Sequence, residues 1–294
     1  MTAHPVGTDA SPWQAPRSRR GRLGLLLLEL VVAAAVLSFL APTAWMVVSS
    51  LKASTEVFAT PTVWLPARPQ WGNYAEIFRV LPLWRILGNT ALVVGLAVVG
   101  TLLSSVPVAY AFARLRWPGR DLWFALLLAT MMLPDVITLV PRFALFRSLG
   151  WLDTFLPLTT PYWTATTGLY VFLLRQFFRG IPAELEEAAR VDGAGRVRTL
   201  VQIILPLATP ALATVAVFAL IQHYSDFLNP LIFINSMDRW TLAVGLRAYN
   251  DTNVANWELV FAASTLALAP VLAIFLAAQR LFVEGIALTG FGGR

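Results

Sequence analysis

Six stretches of roughly 20 or more mainly apolar residues divide this sequence, each long enough to cross a bilayer as a helix at about 1.5 Å rise per residue. No other feature narrows the possible folds as much. They run from about Leu23 to Val48, between Arg85 and Arg114, from Leu122 to about Pro141, between Asp153 and Arg175, between Arg198 and Asp226, and between Glu258 and Arg280. Only the first, with Glu29, and the third, with Asp135 beside Pro134, contain a charged residue. In hydrocarbon every backbone amide must be bonded internally, so such stretches become helices. The expectation is an all-α, polytopic membrane protein with six transmembrane helices.

Composition removes the rivals. Of 294 residues 57% are hydrophobic and 13% charged, against about 25% charged in a soluble domain. No cysteine is present, which excludes a disulfide framework, thiolate catalysis and cysteine metal sites. His4 and His223 are too far apart for a local histidine metal motif, so no metal and no cofactor is expected. The net charge of +6 could mark nucleic-acid binding. The arginines flank apolar runs instead of forming one polar patch, so no nucleic-acid partner is expected and the basic residues belong to a membrane topology. Fourteen of the 22 basic residues fall on the side of the N-terminus if the chain crosses six times. The positive-inside bias then puts both termini in the cytoplasm.

Arg17, Arg19, Arg20 and Arg22 before an apolar run resemble a secretory signal, but the run exceeds the ~7–15 residues of such signals and is read as an uncleaved first helix. The organisation expected is a tail over 1–22, a helical domain over 23–282 and a tail over 283–294. Within the domain, segment 50–85 lies outside, with Trp64, Trp71 and Trp84 suited to the interface. A long charged connection, 175–202, lies inside.

That connection holds a short helix with legible ends. Pro182 suits a first helical position, Glu184, Glu186 and Glu187 favour the positive N-terminal turn, and Gly193 offers a left-handed stop. Glu186 and Arg190, four apart, are placed to pair. Leu185, Ala188 and Ala189 share one face, a narrow apolar stripe rimmed by charge that fits a groove on a partner. A helix lying on the membrane surface would read the same way.

Glu187-Ala188-Ala189, then Gly193, then Ile203, Leu205 and Pro206 resembles the E-A-A loop of the membrane subunits of bacterial ABC importers. Seven fixed positions match by chance at roughly 10⁻⁸ per starting point. The likeness extends from Ser50-Leu51-Lys52 onward and is similar to carbohydrate-uptake permeases of the maltose-transporter type. It includes Asn73-Tyr74, Asn89-Thr90, the run Ala109 to Gly119, Leu149 to Thr154, Leu174 to Phe178, and Phe227 to Leu231. The resemblance implies a type I ABC importer permease fold in a bacterial inner membrane. It also implies two ATP-binding subunits, a second homologous permease subunit and an extracytoplasmic solute-binding protein as partners. Glu187, Ala188, Ala189 and Gly193 would be the contact that couples to the ATPase. Two stretches depart from the family: Tyr224-Ser225-Asp226 replaces Trp-Asn-Asp, and Thr289 to Gly293 replaces Gly-Ala-x-Lys-Gly.

The energy source follows by elimination. A P-loop needs a lysine after a glycine-rich turn, and the only lysine, Lys52, follows Val-Val-Ser-Ser-Leu. The chain is therefore not expected to be an enzyme. Either a partner hydrolyses ATP, or the chain runs on an ion gradient; Glu29 and Asp135, without a basic partner inside the spans, make a poor relay for the latter. An integral-membrane enzyme would need convergent acid and base groups, which are not evident. A membrane scaffold stays open. For a translocation pathway the candidates are Tyr224, Ser225, Asp226 and Asn229, whose donors, acceptors and ring suit sugar hydroxyls. His223 in the same row reads more simply as a structural hydrogen bonder.

Overall fold

The computed structural model describes residues 19–165, 167–251 and 256–290. Among the described residues three helices are long and apolar enough to span a membrane: Arg19–Ser49, Leu83–Arg114 and Trp257–Gly290. Two further spans are bent pairs. Arg120–Thr130 meets Asp135–Ser148 at 95°, and Arg196–Leu207 meets Thr209–Tyr224 at 80°. The first break falls at Met131–Pro134, and Pro134 precedes a helix whose N-terminal turn contains Asp135. Proline clashes with a continuing helix, and a carboxylate suits the amide-rich end that follows. The second break falls at Ala208, between Pro206 and Pro210. By contrast Pro42, Pro107, Pro141 and Pro270 lie inside continuous helices.

Length and composition thus support up to five spans among the described residues, and the expected fourth span departs from a single helix. It consists of Leu156–Thr159, a 3₁₀ piece Thr160–Thr164, a left-handed Ala165, and Gly168–Gly180. The last of these runs past Arg175, the expected end of the span. Arg175 is buried, its guanidinium 3.9 Å from the centre of the Phe124 ring and its Nε donating to Phe112 O. The charge is absorbed by an aromatic face, so the connecting loop begins after Gly180. Residues 1–18 of the expected N-terminal tail and 291–294 of the C-terminal one lie outside the described residues, and the rest of both tails is helical.

Leu83–Arg114 is the axis of the molecule. At about 1.5 Å per residue its 32 residues span about 48 Å. Its second half joins Gly168–Gly180, Ile204, Ala208 and Val215 in the main core. Gly100 permits a close approach there, since a Cβ at that position would stand 2.5 Å from Trp163 Cδ1. The first half packs with Gly72–Val80, Leu242–Asp251 and Trp257–Gly290 in a second core.

The family-like stretches at this end are structural joints. Asn73 Nδ2 donates to Ser50 O and Lys52 O at 2.9 and 3.0 Å, and Tyr74 and Ser50 hydroxyls meet at 2.7 Å. Lys52 is fully buried with Nζ 3.7 Å from the centre of the Trp45 ring; burial pushes its ammonium below the usual lysine range, with Glu56 acting the other way. Asn89 Nδ2 donates to Asp238 O and Trp240 O, Thr90 Oγ1 accepts from Leu242 N, and Arg85 pairs with Asp238. Asp153, with positive φ, accepts from Ser236 Oγ and from the amides of Ser236 and Asn235, and pairs with Arg239 at 2.7 Å. Those bonds, the Ser236 hydroxyl first, draw its carboxyl down to about 2.

Candidate functional site

At the Arg114 end of the axis the charged loop forms the expected short helix, though Pro182 precedes its first residue and Glu187 lies beyond its first turn. The helix is Ala183–Val191, entered from Pro182 and with Glu184 and Glu186 in its first turn. It stops on Gly193 at φ +79°, where Gly193 N donates to Arg190 O and Ala194 N to Ala189 O. That pair of bonds is a Schellman motif, which needs a residue tolerant of left-handed backbone.

The pairing of Glu186 differs from expectation. It turns away from Arg190 to Arg114, 3.1 Å from Nε, with the two side chains only 12% and 11% exposed. Arg114 Nη2 also donates to Phe178 O at 2.5 Å and to Ile181 O. One guanidinium therefore joins three elements: the end of the long helix, the end of Gly168–Gly180, and the loop helix. A guanidinium suits this, because one side chain donates to helix-end carbonyls through Nη2 while its charge sits against a carboxylate.

The supposed apolar stripe is divided. Ala189 is buried at 6% exposure against the body of the protein, while Leu185, Glu187 and Ala188 are exposed, as is Gly193. Glu187 and Ala188 thus face outward from a helix clamped on its other side. A cleft of about 840 Å³ beside it is lined by Tyr110, Arg116, Arg120, Glu187, Arg190 and Arg196 among others.

A second cavity, about 740 Å³, opens between the bend at Met131–Pro134, the broken segment and the C-terminal end of Thr209–Tyr224. It brings together Asp226 and Asn229 of the expected set with Asp135, Thr138, Arg142, Tyr162, Gln222 and His223. Asp226 accepts from Asn229 N at 3.2 Å and from Asn229 Nδ2 at 2.8 Å. His223 is 7% exposed, its ring centre 4.1 Å from that of Tyr162, and its Nε2 has no hydrogen-bond partner. Asp135 is thus not an isolated carboxylate, since Arg142 and His223 share its cavity. Tyr224 is turned elsewhere: its hydroxyl donates to Ala267 O at 2.6 Å and its ring packs in the second core. Ser225 is exposed and does not line the cavity. Glu29 is exposed on the flank of the first helix. Arg142, Tyr162 and Gln222 were not legible as site residues, because they meet only through the bend at Met131–Pro134 and the broken segment.

An all-helical body with long apolar helices, a polar cavity at their breaks and an externally presented acidic helix define a membrane permease subunit. Residues 105–287, more than half of the chain, match the family described as "Binding-protein-dependent transport system inner membrane component", and the chain belongs to that family. It is 33% identical over 252 residues to the sulfoquinovosyl glycerol transport system permease protein SmoH of Agrobacterium fabrum, covering 86% of this chain and 88% of that protein. It is 32% identical over 241 residues to the diacetylchitobiose uptake system permease protein NgcG of Streptomyces coelicolor, covering 81% and 80%. A chain in the crystal structure of a bacterial ABC transporter involved in the import of the acidic polysaccharide alginate superposes with a TM-score of 0.81 at 25% identity, covering 92% of this chain and all of that one.

Proposed function

We propose that this chain forms half of the translocation pathway of an ATP-driven sugar importer and receives the work of ATP hydrolysis through the helix Ala183–Val191. The observation that carries the reading is the Arg114 junction. A helix pinned on one side by Glu186 and Ala189, with Glu187 and Ala188 facing outward, is built to be gripped by a partner. Relatives named for sulfoquinovosyl glycerol and diacetylchitobiose uptake support a carbohydrate solute.

In this reading the chain crosses the membrane six times, the broken segment 156–180 included, with both termini and the loop helix cytoplasmic. The partners are two ATPase subunits, a second permease and an extracytoplasmic binding protein. Closure of the ATPases displaces the loop helix. Arg114 carries the displacement into Gly168–Gly180, whose first residues, Gly168 and Leu169, line the cavity. Thirteen residues of helix span about 20 Å, so movement at one end arrives at the cavity wall. Packed interfaces shift between discrete arrangements instead of deforming continuously.

The test is Glu187→Arg in the assembled complex. ATP-dependent uptake should be abolished while membrane insertion and level are kept, because the side chain is exposed and outside the bilayer. Uptake at the normal rate would overturn the docking assignment.

A further inference from the structure

We propose that the cleft of about 840 Å³ beside the loop helix is a binding site for a phosphate group. Such a site is independent of the solute carried. Five arginines line the cleft against two carboxylates, Glu186 and Glu187. Two of the five are already matched, since Arg114 pairs with Glu186 at 3.1 Å and Arg120 with Asp121 at 3.0 Å. Among the described residues Arg116, Arg190 and Arg196 take part in no ion pair. Three guanidinium groups against Glu187 alone leave an excess of two positive charges, and like charges gathered in one concavity draw an anion from solution. A phosphate monoester carries about −1.5 to −2 at neutral pH, and a lipid with two phosphodiesters carries a similar charge.

Only the fold brings these groups together. Arg116 follows the long helix, Arg190 lies in the last turn of the loop helix, and Arg196 opens the short helix Arg196–Thr199. Arg190 and Arg196 both lie within electrostatic range of Tyr110, which is 6% exposed on the cleft wall. A phosphate presents only acceptor oxygens once ionised, each guanidinium presents only donors in a planar fork, and the phenol can add a further donor. A smaller groove of about 360 Å³ continues from Arg116 and Arg120 past Trp117 to Leu122, which is 65% exposed on the next helix. That continuation gives the acyl chains of an anionic lipid a way back to hydrocarbon, as in basic pockets that hold cardiolipin head groups. A soluble phosphate needs no such exit, so experiment separates the two sources.

The detergent-solubilised, nucleotide-free complex is titrated with cardiolipin, with phosphatidylcholine as the zwitterionic reference, and separately with inorganic phosphate. Native mass spectrometry counts bound lipid and calorimetry follows phosphate. The paired change Arg116→Gln and Arg196→Gln should weaken binding at least about tenfold. Arg198→Gln removes a charge from the same end of the molecule, but Arg198 bonds Gln202 and does not line the cleft; it should change binding less than about twofold. Arg116→Lys with Arg196→Lys keeps the charges without the forks and should recover part of the affinity. Cardiolipin held in preference to phosphatidylcholine, and lost in the paired Gln variant, makes the occupant a lipid. Phosphate binding lost in that variant, with no preference for cardiolipin, makes it a soluble anion. If neither probe responds to the paired change, the site is overturned. It is equally overturned if neither probe binds and the paired variant sheds its ATPase subunits, which would give the cleft to an acidic segment of a partner.

Discussion

Arg114 and Glu186 lie 3.1 Å apart, almost wholly shielded from water, and their contact ties the last residue of a 32-residue spanning helix to the first turn of the loop helix. Ion pairs of this depth are weak sources of net stability, but removal of one partner strands the other. The geometry therefore specifies a joint more than it strengthens one.

Arg114→Ala should accordingly destabilise the complex by about 3 kcal/mol and reduce coupled transport at least tenfold. Arg114→Lys should restore the charge but not the reach of one planar group to both carbonyls and the carboxylate, giving an intermediate loss. Thermal unfolding and uptake assays in the same membranes read both effects, and an unchanged Arg114→Ala variant would remove the joint from the force path.

Gly193→Ala places a Cβ on a backbone at φ +79° and should cost about 1 kcal/mol of local stability, fraying the end of the loop helix. The expected signature is faster amide exchange at residue 193 and at Ala194, whose amides close the cap, together with lower transport at normal protein level. Gly193→Asn should be milder, since asparagine tolerates the left-handed region.

Gly100→Ala tests the packing of the broken segment against the long helix. With the new Cβ 2.5 Å from the Trp163 ring, overpacking should destabilise by about 1–3 kcal/mol. A lowered melting temperature and altered tryptophan fluorescence are expected, and Trp163→Leu should relieve the loss of stability.

Asp153 should give a pH-dependent tie. Its carboxyl titrates near 2 in the folded protein against 3.8 ordinarily. A depressed carboxylate stabilises the fold fully above its ordinary value, and that contribution disappears as pH falls from 3.8 towards 2. Amide exchange at Asn235 and Ser236, corrected for intrinsic rates, should be protected at pH 5 and lose protection below 3.8. Asp153→Asn should flatten the profile.

Much of this was legible in local chemistry. Pro182 and Gly193 set the limits of the loop helix, and Pro134 with Asp135 marked a real break, because proline and glycine constrain the backbone wherever they stand. What sequence could not yield was the direction of side chains on helices that are apolar all round. Thr209–Tyr224 offers no polar face to set its rotation, so Tyr224 and Asp226, two residues apart, read as one row although one bonds Ala267 and the other lines the cavity. Glu186 was assigned to Arg190 for a similar reason. A spacing of four allows that pair, but the carbonyls of Phe178 and Ile181 had already drawn Arg114 to the same spot. The fourth span was read as a single stretch although Pro157 and Pro161 punctuate it, and the packing of Trp163 against Gly100 could not be read from either residue alone.

The long axis helix has its two sets of attachments at opposite extremities, Asn89 and Thr90 near one and Arg114 at the other. A pivot of about 5° at the Arg114 extremity of a rod about 48 Å long sweeps the far tip through about 4 Å. Gearing of that size would let a modest nudge from beneath reposition the turn around Asp238 by more than the length of a hydrogen bond.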